Sequence, residues 1–410
     1  MALPLAGIRV LDMSVFQQGT YASAMLADMG ADVVKIEAPN HPDPGRGTGL
    51  DNSPNGLRPY FQHLNRNKRG ISLDLRNEAG REVLLKLVET ADIFHNNMRP
   101  GVLERLNITY DVMAARNPRI IVSRATGWGH LGPDAERQLG SMDILAQARG
   151  GIMSVTGTPE SGALPVGVPF ADHTGAIISA YGMMVALWER QESGVGQEVN
   201  TSLYGAQLTI QGFNVTNAMW ANRDQQRVAP EHRRPHWNAY PCSDDKLIML
   251  GGPVADRWWD SFCDEIGAPD LAQGGNYTAN MRDEGLRERT IARLHEVLAT
   301  KPRDTWIDQL QPEYFVQPVS TYLEIAEDEQ AWANGYLTNI PNDDDVALPT
   351  VGVPVHLSRT PGSVRHVAPE LGQHTEEVLL EAGYDWDDIS SLRDQGAFGE
   401  IPTATDAAGG

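Results

Sequence analysis

Short β-branched segments alternate with segments of helical periodicity through the first 200 residues. Five apolar runs predict strands at residues 7–12, 31–36, 71–73, 92–94 and 119–122. Between the first two runs, Ala22, Met25, Leu26 and Met29 recur at helical spacing, and Gly30 can end this helix in a left-handed conformation. Strands that alternate with helices are typical of parallel βαβ units. The pattern predicts an α/β fold with a Rossmann-like, doubly wound sheet, whose ligands bind at the carboxyl ends of the strands.

The hydrophobic pattern and the composition change along the chain, which indicates more than one domain. A long apolar helix is predicted from about residue 174 to 188, and a turn at 194–197 leads into another strand. Residues 225–325 combine clustered tryptophans with short amphipathic helices, which we interpret as a smaller α+β domain. Residues 330–410 return to strand and helix signals before a small, polar tail. Because a chain of 410 residues usually outgrows a single core, we expect two domains.

Composition narrows the function classes. Lys and Arg number 33 against 54 Asp and Glu, a net charge of −21, which is too acidic for a general nucleic-acid binder. No apolar stretch reaches the roughly 18 residues that a membrane helix needs, and the N-terminus does not resemble a signal peptide. Two cysteines, Cys242 and Cys263, are too few for a disulfide scaffold or a structural zinc site. We therefore expect a cytoplasmic enzyme with no metal and no nucleic-acid or membrane partner.

Two cationic segments are the remaining candidates for ligand binding, because the chain lacks the common nucleotide-binding and hydrolase motifs. The chain has no P-loop, no Gly-x-Gly-x-x-Gly after the first strand and no nucleophile elbow. In residues 65–70, Arg and Lys could hold phosphates, or they could lie in a solvated loop balanced by nearby carboxylates. Residues 96–101, with Arg105, follow a strand and so lie at the predicted ligand edge, where Asn and Arg could bind a nucleotide diphosphate.

Asp172 stands at the start of the long apolar helix. It could simply cap that helix, since Asp is a favoured N-cap residue. Alternatively, a carboxylate among apolar neighbours loses part of its hydration and becomes more nucleophilic, as in enzymes that form acyl intermediates on Asp or Glu. The residues alone leave both interpretations open.

Motifs along nearly the whole chain, taken in order, resemble the class III CoA-transferase family (CaiB/BaiF), which includes formyl-CoA transferase and carnitine CoA-transferase. The motifs are PLAGIRVLD at 4–12, LADMGADVVKIE at 26–37, NRNKR at 65–69, MRPG at 98–101, GWGHLGP at 127–133, GVGQ at 194–197 and LGQHTEEVL at 371–379. The resemblance implies a large CoA-binding domain built from residues 1–200 and 330–410, with a small domain at 225–325. It also implies an interlocked dimer, either of identical chains or with a paralogous subunit.

The resemblance further implies the site residues. Asp172 matches the catalytic aspartate, which attacks the donor thioester to form an acyl-aspartyl anhydride, and Gln17 matches a residue beside the reacting carbonyl. Candidate contacts to CoA, matched position by position, are Gln18, Leu73, Leu75, Arg76, Asn97, Met98, Arg99, Arg105 and Asp143. Gly251 and Gly252 match part of a substrate loop that covers the aspartate. CoA and acyl-CoA are implied as substrates, with succinyl-CoA as a donor and no permanently bound cofactor.

The chain also departs from the family's oxalate-using member. Ala38, Gly140 and Met142 stand where that enzyme has Arg, Lys and Tyr, and the glycine loop is shorter. These departures disfavour oxalate as the acid and leave the contact to the 3′-phosphate of CoA unassigned. Trp220, Trp237 and Tyr240 hint at a pocket for a bulkier acid, although tryptophan more often packs in a core.

Two alternative functions remain. The α-methylacyl-CoA racemases share the fold and carry a His at the position of Met142, which is neither an acid nor a base, so racemisation is disfavoured. His130 and His173 are expected to be turn or capping residues. The other alternative is a catalytically silent subunit of a hetero-oligomer, which a retained Asp172 disfavours.

Overall fold

The computed structural model describes residues 2–49, 56–342 and 346–399, and the chain divides into two units. The first unit comprises residues 1–153, 165–223 and 330–410, and the second comprises residues 154–164 and 224–329. The second unit therefore includes a short segment, 154–164, that the sequence pattern did not separate from the first.

A six-stranded parallel sheet lies at the centre of the first unit, within the described residues. Its strands are β1 (Arg9–Met13), β2 (Asp32–Glu37), β3 (Arg69–Ser72), β4 (Ile93–Asn96), β5 (Ile121–Thr126) and β6 (Glu198–Ser202). The spatial order β3-β2-β1-β4-β5-β6 is that of the doubly wound Rossmann fold, which confirms the predicted fold class. Because the order reverses between β1 and β4, a crevice is expected at the carboxyl ends of these two strands.

The other strands form smaller antiparallel sheets. They are β7 (Ala239–Pro241), β8 (Leu247–Leu250), β9 (Val316–Pro318), β10 (Leu337–Asn339) and β11 (Pro349–Val351). Within the described residues, β7, β8 and β9 pair in the second unit, and β10 pairs with β11 in the first.

Helices cover both faces of the central sheet and make up much of the second unit. In chain order, those of the described residues are α1 (Gln18–Asp28), α2 (Pro59–Asn65), α3 (Glu78–Val88), α4 (Val102–Arg105), α5 (Tyr110–Arg116), α6 (Pro133–Glu136), α7 (Asp143–Arg149), α8 (Ile152–Val155), α9 (Phe170–Ser193), α10 (Leu203–Ile210), α11 (Gly212–Ala221), α12 (Trp259–Glu265), α13 (Tyr277–Asn280), α14 (Glu284–Leu298), α15 (Arg303–Leu310), α16 (Tyr322–Ala326), α17 (Glu329–Ala333), α18 (Thr375–Glu381) and α19 (Trp386–Asp394). None of them combines the length and the apolar character needed to cross a membrane.

Successive side chains of a strand point to opposite faces of the sheet, so the core of the first unit is divided between those two faces. Val10 and Val33 pack in one buried cluster with residues of α1 and α9. Their neighbours Leu11 and Val34 lie in another, with residues of α3 and α18. Gly30 has φ of 101°, so the predicted left-handed ending of the first helix is confirmed.

The cationic segment at residues 65–70 contributes buried ion pairs. Arg66 Nη2 lies 2.8 Å from Asp28 Oδ2, and Lys68 Nζ lies 2.9 Å from Asp12 Oδ2, with all four side chains buried. Burial by itself would raise the pKa of Asp12, but the nearby ammonium groups outweigh it and hold that pKa below its usual value. Arg66 and Lys68 are therefore not available to phosphates, and the expected solvated loop was wrong for them, whereas the expected balance by carboxylates is confirmed. Their carboxylate partners neutralise them inside the fold.

The second unit has its own aromatic core. Trp259, Phe262, Tyr277 and Trp306 are buried together, and the rings of Trp259 and Tyr277 lie 4.4 Å apart between centroids. Core packing therefore explains part of the tryptophan cluster that marked this region in the sequence. Trp237, in contrast, is half exposed.

Candidate active site

A cavity of about 950 Å³ opens in the first unit where β1 and β4 end. The β1–α1 connection contributes Val15 and Phe16 to its wall, and the segment after β4 contributes Pro100. Of the site residues predicted from the sequence, those that line it are Gln17, Gln18, Asn97, Met98, Arg99, Asp143 and Asp172. The cavity thus occupies the crevice expected from the strand order.

Asp172 lies in the first turn of α9 and lines this cavity. It does not cap the helix, because α9 begins at Phe170, four residues earlier than predicted, and Pro169 occupies the N-cap position. Burial, together with the negative charge of Asp143, raises the pKa of Asp172 from 3.8 to about 7. The carboxyl group is therefore poorly solvated and changes charge near neutral pH.

The connection between β1 and α1 is held by neighbouring side chains. Asn97 Oδ1 accepts a hydrogen bond from the N–H of Val15 at 2.9 Å, and Asn97 Nδ2 donates to the carbonyl of Val15 at 2.8 Å. The N–H of Phe16 donates to Asp43 Oδ1 at 2.8 Å, and Phe16 has φ of 56°, which is uncommon for a residue other than glycine. These contacts hold Gln17 at the cavity, and they give Asn97 a structural role that the resemblance did not imply.

Tyr60 is a cavity residue that the sequence did not reveal. It is the second residue of α2, and its hydroxyl donates to Gln17 Oε1 at 3.5 Å. Burial, followed by the negative charges of Asp172 and Asp43, raises the pKa of Tyr60 above its usual value. The hydroxyl therefore remains a neutral hydrogen-bond donor near the carboxyl group. No motif marks Tyr60, because α2 is brought to this cavity by tertiary packing.

Four of the predicted CoA contacts lie outside the residues that line the cavity. The side chains of Leu73 and Leu75 are buried in the core, which leaves only their backbone for a ligand. Arg76 is exposed and pairs with Asp74 at 3.3 Å. Arg105 is exposed at the end of α4.

Gly251 and Gly252 belong to the second unit. Gly251 lines a separate cavity of about 510 Å³, and its N–H donates to the carbonyl of Phe315 at 2.8 Å. A Cβ atom on Gly252 would lie 2.7 Å from the ring of Phe315, so a side chain there would clash. The prediction that this loop covers Asp172 stays a prediction.

The structure shows the surroundings of Gly140 and Met142, two of the positions at which the chain differs from the oxalate-using member of the family. A Cβ atom on Gly140 would lie 3.1 Å from Arg99 Cζ, so the guanidinium group fills the space where a side chain at position 140 would start. Met142 is exposed and lines the cavity. A cation is therefore still present at this wall, although it comes from Arg99.

The two histidines near the site in sequence are not among the residues that line the cavity. His130 is exposed in the loop after β5. The ring of His173 packs against Tyr21 and His63, with centroid distances of 4.8 and 6.0 Å, and burial lowers its pKa. The capping role expected for His173 was wrong, because its side chain packs on α1 and α2.

Within the described residues, one group of three side chains has metal-ligand chemistry. His232 Nδ1 lies 3.0 Å from Glu288 Oε1 and 3.8 Å from Glu284 Oε1, in the second unit. All three side chains are largely solvated, and an ordinary surface contact between an imidazole and carboxylates explains their proximity.

Comparison with known proteins identifies the family. Residues 5–375 match CoA-transferase family III. The chain belongs to this family. It is therefore a CoA-transferase, an enzyme whose substrates are CoA thioesters.

Relatives of known activity align along almost the whole CoA-transferase chain. Formyl-CoA:oxalate CoA-transferase of Afipia carboxidovorans is 30% identical, over 99% of this chain and 100% of the relative. Succinyl-CoA–D-citramalate CoA-transferase of Chloroflexus aurantiacus is 30% identical, over 95% and 97%. A crystal structure of a CaiB/BaiF family protein from Brucella suis is 27% identical and superposes with a TM-score of 0.83, covering 93% of this chain and 100% of that one.

Proposed function

We propose that the protein moves CoA from an acyl-CoA donor to a free carboxylic acid through an anhydride on Asp172. A carboxylate oxygen of Asp172 attacks the thioester carbonyl carbon, the C–S bond breaks, and CoA leaves as a thiolate. The thiolate then attacks the aspartyl carbonyl carbon, which releases the donor acid and leaves an aspartyl-CoA thioester.

The second half of the reaction reverses these steps with the other acid. The acceptor carboxylate attacks the aspartyl thioester, which forms a second anhydride and frees the CoA thiolate again. Attack of the thiolate on the acceptor's acyl carbon yields the new acyl-CoA and regenerates Asp172. One thioester replaces another of similar energy, so the cycle needs no ATP.

The position of Asp172 supports this function above all. Its carboxyl group faces a cavity at the ligand edge of a Rossmann sheet, in a chain of the CoA-transferase family. Burial raises its pKa to about 7, so the ionised form is more basic than a solvated carboxylate and still abundant at neutral pH. Gln17 and Tyr60 supply amide and hydroxyl groups at the same cavity, able to hydrogen-bond a developing oxyanion.

We propose succinyl-CoA as the first donor to test. The relatives named for succinyl-CoA transfer CoA from it to D-citramalate in Chloroflexus aurantiacus and to mesaconate in Haloarcula hispanica, and each aligns with over 90% of this chain. Their names support a carboxylic acid larger than oxalate as acceptor, which agrees with Met142 at the cavity wall. The cytoplasm is the location we propose.

We also propose a homodimer, with a paralogous subunit as the alternative partner. Along α9, Ile177, Tyr181 and Trp188 expose 53, 68 and 71% of their surfaces. Phe213 and Trp220 on α11 are exposed as well. Large apolar side chains that are exposed together on helices favour a protein–protein interface over contact with solvent. Sedimentation velocity should give about twice the chain mass if the partner is a second copy.

The function is tested with a panel of acyl-CoAs and free acids, with products followed by mass spectrometry. New thioesters should require both substrates and should vanish in Asp172→Asn, which preserves the side chain's size. The matched control Asp308→Asn, at an exposed position of α15, should retain activity.

The same assay separates the alternatives. Deuterium uptake from D₂O at the α-carbon of a branched acyl-CoA, without any acceptor acid, would favour the racemase and contradict the transferase. If the purified chain binds CoA but gives no product and no deuterium exchange, the result would favour a silent subunit.

A further inference from the structure

The first turn of α9 is held by a carboxylate from a different helix. Asp143, the first residue of α7, accepts hydrogen bonds through Oδ1 from the N–H of Ala171 at 2.7 Å and of Asp172 at 3.0 Å. The residue at the N-cap position, Pro169, has no polar side chain with which to do this. Asp143 therefore supplies the cap through tertiary contact, and one of the two bonds is to the proposed nucleophile itself.

Gln147, one turn further along α7, fixes this arrangement. It is buried, and its Nε2 donates to Asp143 Oδ2 at 2.6 Å and to the carbonyl of Val168 at 3.2 Å. Its Oε1 accepts from the N–H of Val166 at 2.9 Å. Both the chain that leads into α9 and the carboxylate that caps it are thus attached to α7, which leaves Asp143 little freedom to turn away.

The cap also places two carboxyl groups in one cavity wall. Asp143 and Asp172 both line the cavity, and the charge of Asp143 opposes ionisation of Asp172. The other titratable groups near Asp172 are Tyr60 from α2, a neutral donor, and the adjacent His173, which packs on Tyr21 and His63. The guanidinium of Arg99 lines the same cavity, but burial and the charge of Asp143 prevail, since the pKa of Asp172 is raised. Acylation removes the charge of Asp172, so the repulsion is present before the reaction and absent from the anhydride.

We propose that Asp143 is the positioning residue of the nucleophile: it holds the first turn of α9 and speeds acylation through a repulsion that anhydride formation relieves. This rests on the proposed function, since it needs Asp172 to be acylated. It assigns Asp143 a different role from the CoA contact implied by the family resemblance. The two roles predict different kinetics, because a CoA contact acts on the KM of the thioester and a positioning residue acts on the acylation rate.

The test compares Asp143→Asn with Asp143→Ala. The Asn variant keeps an oxygen acceptor for the two backbone N–H groups and loses the charge, whereas the Ala variant loses both. Asp283→Asn is the matched control, because Asp283 caps α14 in the second unit through the N–H of Leu286. Acylation of Asp172 by succinyl-CoA is trapped with hydroxylamine in single turnovers from pH 5 to 9. Deuterium exchange of the peptide covering 168–174 reports on the helix start without any substrate.

In Asp143→Asn, the acylation rate should reach its plateau roughly 0.5–1 pH unit lower than in wild type, and the plateau should fall about threefold. In Asp143→Ala the plateau should fall roughly tenfold or more, and the 168–174 peptide should exchange faster. The control should match wild type in every measurement. Wild-type KM for succinyl-CoA should be retained within about twofold in both variants.

Two results would overturn the inference. One is a raised KM with an unmoved pH profile, which is the behaviour of a CoA contact. The other is unchanged deuterium exchange in Asp143→Ala, which would show that the cap does not hold the helix. Failure of the proposed function is separately visible, because wild-type Asp172 would then give no trapped adduct at any pH with any donor of the acyl-CoA panel, whatever the exchange data show.

Discussion

Replacing Asp172 with Asn should stabilise the protein at neutral and alkaline pH while abolishing transfer. The carboxyl group has its pKa raised from 3.8 to about 7, mainly by burial. Below pH 3.8 it is neutral in both the folded and the unfolded chain. Between pH 3.8 and 7 only the unfolded chain loses this proton, so the stability that the neutral carboxyl contributes falls through that window and then levels off.

The size of the effect follows from the shift. A rise from 3.8 to about 7 is roughly three pH units, and at about 1.4 kcal/mol per unit this sets a ceiling near 4 kcal/mol. Because water reaches part of Asp172 at the cavity wall, we expect about half of this ceiling, roughly 2 kcal/mol. Asn carries no charge at any of these pH values, so the variant does not lose stability in this way.

Urea unfolding of wild type and Asp172→Asn at pH 4 and pH 8 measures the difference directly. The variant should gain about 2 kcal/mol over wild type at pH 8 and a few tenths at pH 4. The exposed Asp308→Asn provides the control, with a much smaller dependence on pH. An advantage of the same size at both pH values would show that the gain arises from packing and not from the buried charge.

Other residues give predictions of different kinds. Asp12→Asn should lower the free energy of unfolding by about 3–5 kcal/mol in urea, because it leaves Lys68 buried without its counter-charge. Asn97→Ala should reduce kcat roughly tenfold or more with little change in KM for the thioester, because it releases the β1–α1 connection. Gly196→Ala should cost about 2–4 kcal/mol, since its Cβ would lie 1.9 Å from a backbone oxygen. Gly47→Ala, with no atom within 4 Å of its Cβ, should cost far less.

Each of these has a result that would contradict it. For Asp12→Asn it is a loss below about 1 kcal/mol; adding Lys68→Met to the variant should recover part of the stability. For Asn97→Ala it is a raised KM with unchanged kcat, which would restore the CoA contact implied by the resemblance. For Gly196→Ala it is a loss no larger than that of Gly47→Ala.

The sheet could be predicted from the sequence because its signals are local. Apolar runs such as Val33-Val34 mark strands whatever surrounds them, and Gly30 marks a helix end by its own backbone freedom. The strand limits differ by one to four residues, since parallel pairing carries β1 and β4 as far as Met13 and Asn96. The carboxyl edge of that sheet then places Met98 and Arg99 at one cavity, as the pattern predicts, together with Gln17, which only the family resemblance implied.

The rest of the site depends on contacts between distant segments. Asp143 and Asp172 are 29 residues apart, and nothing local shows that one caps the helix of the other. In the same way, a lysine in a polar run looks solvated, yet Lys68 is buried because Asp12 from β1 neutralises it. For Leu73 and Leu75, matching positions did not show that both side chains lie in the core, which leaves only their backbone for the predicted contact with CoA.

The most direct test of the account is to trap the intermediate on Asp172. Wild-type protein is incubated with an acyl-CoA donor from the panel, starting with succinyl-CoA, and treated with hydroxylamine, whose nitrogen attacks the aspartyl carbonyl of an anhydride or thioester. Peptide mass spectrometry then locates the hydroxamate. A hydroxamate is expected at Asp172 that requires the donor and is absent from Asp172→Asn. Continued transfer of CoA with Asp172 unmodified, or with the adduct on another residue, would contradict it.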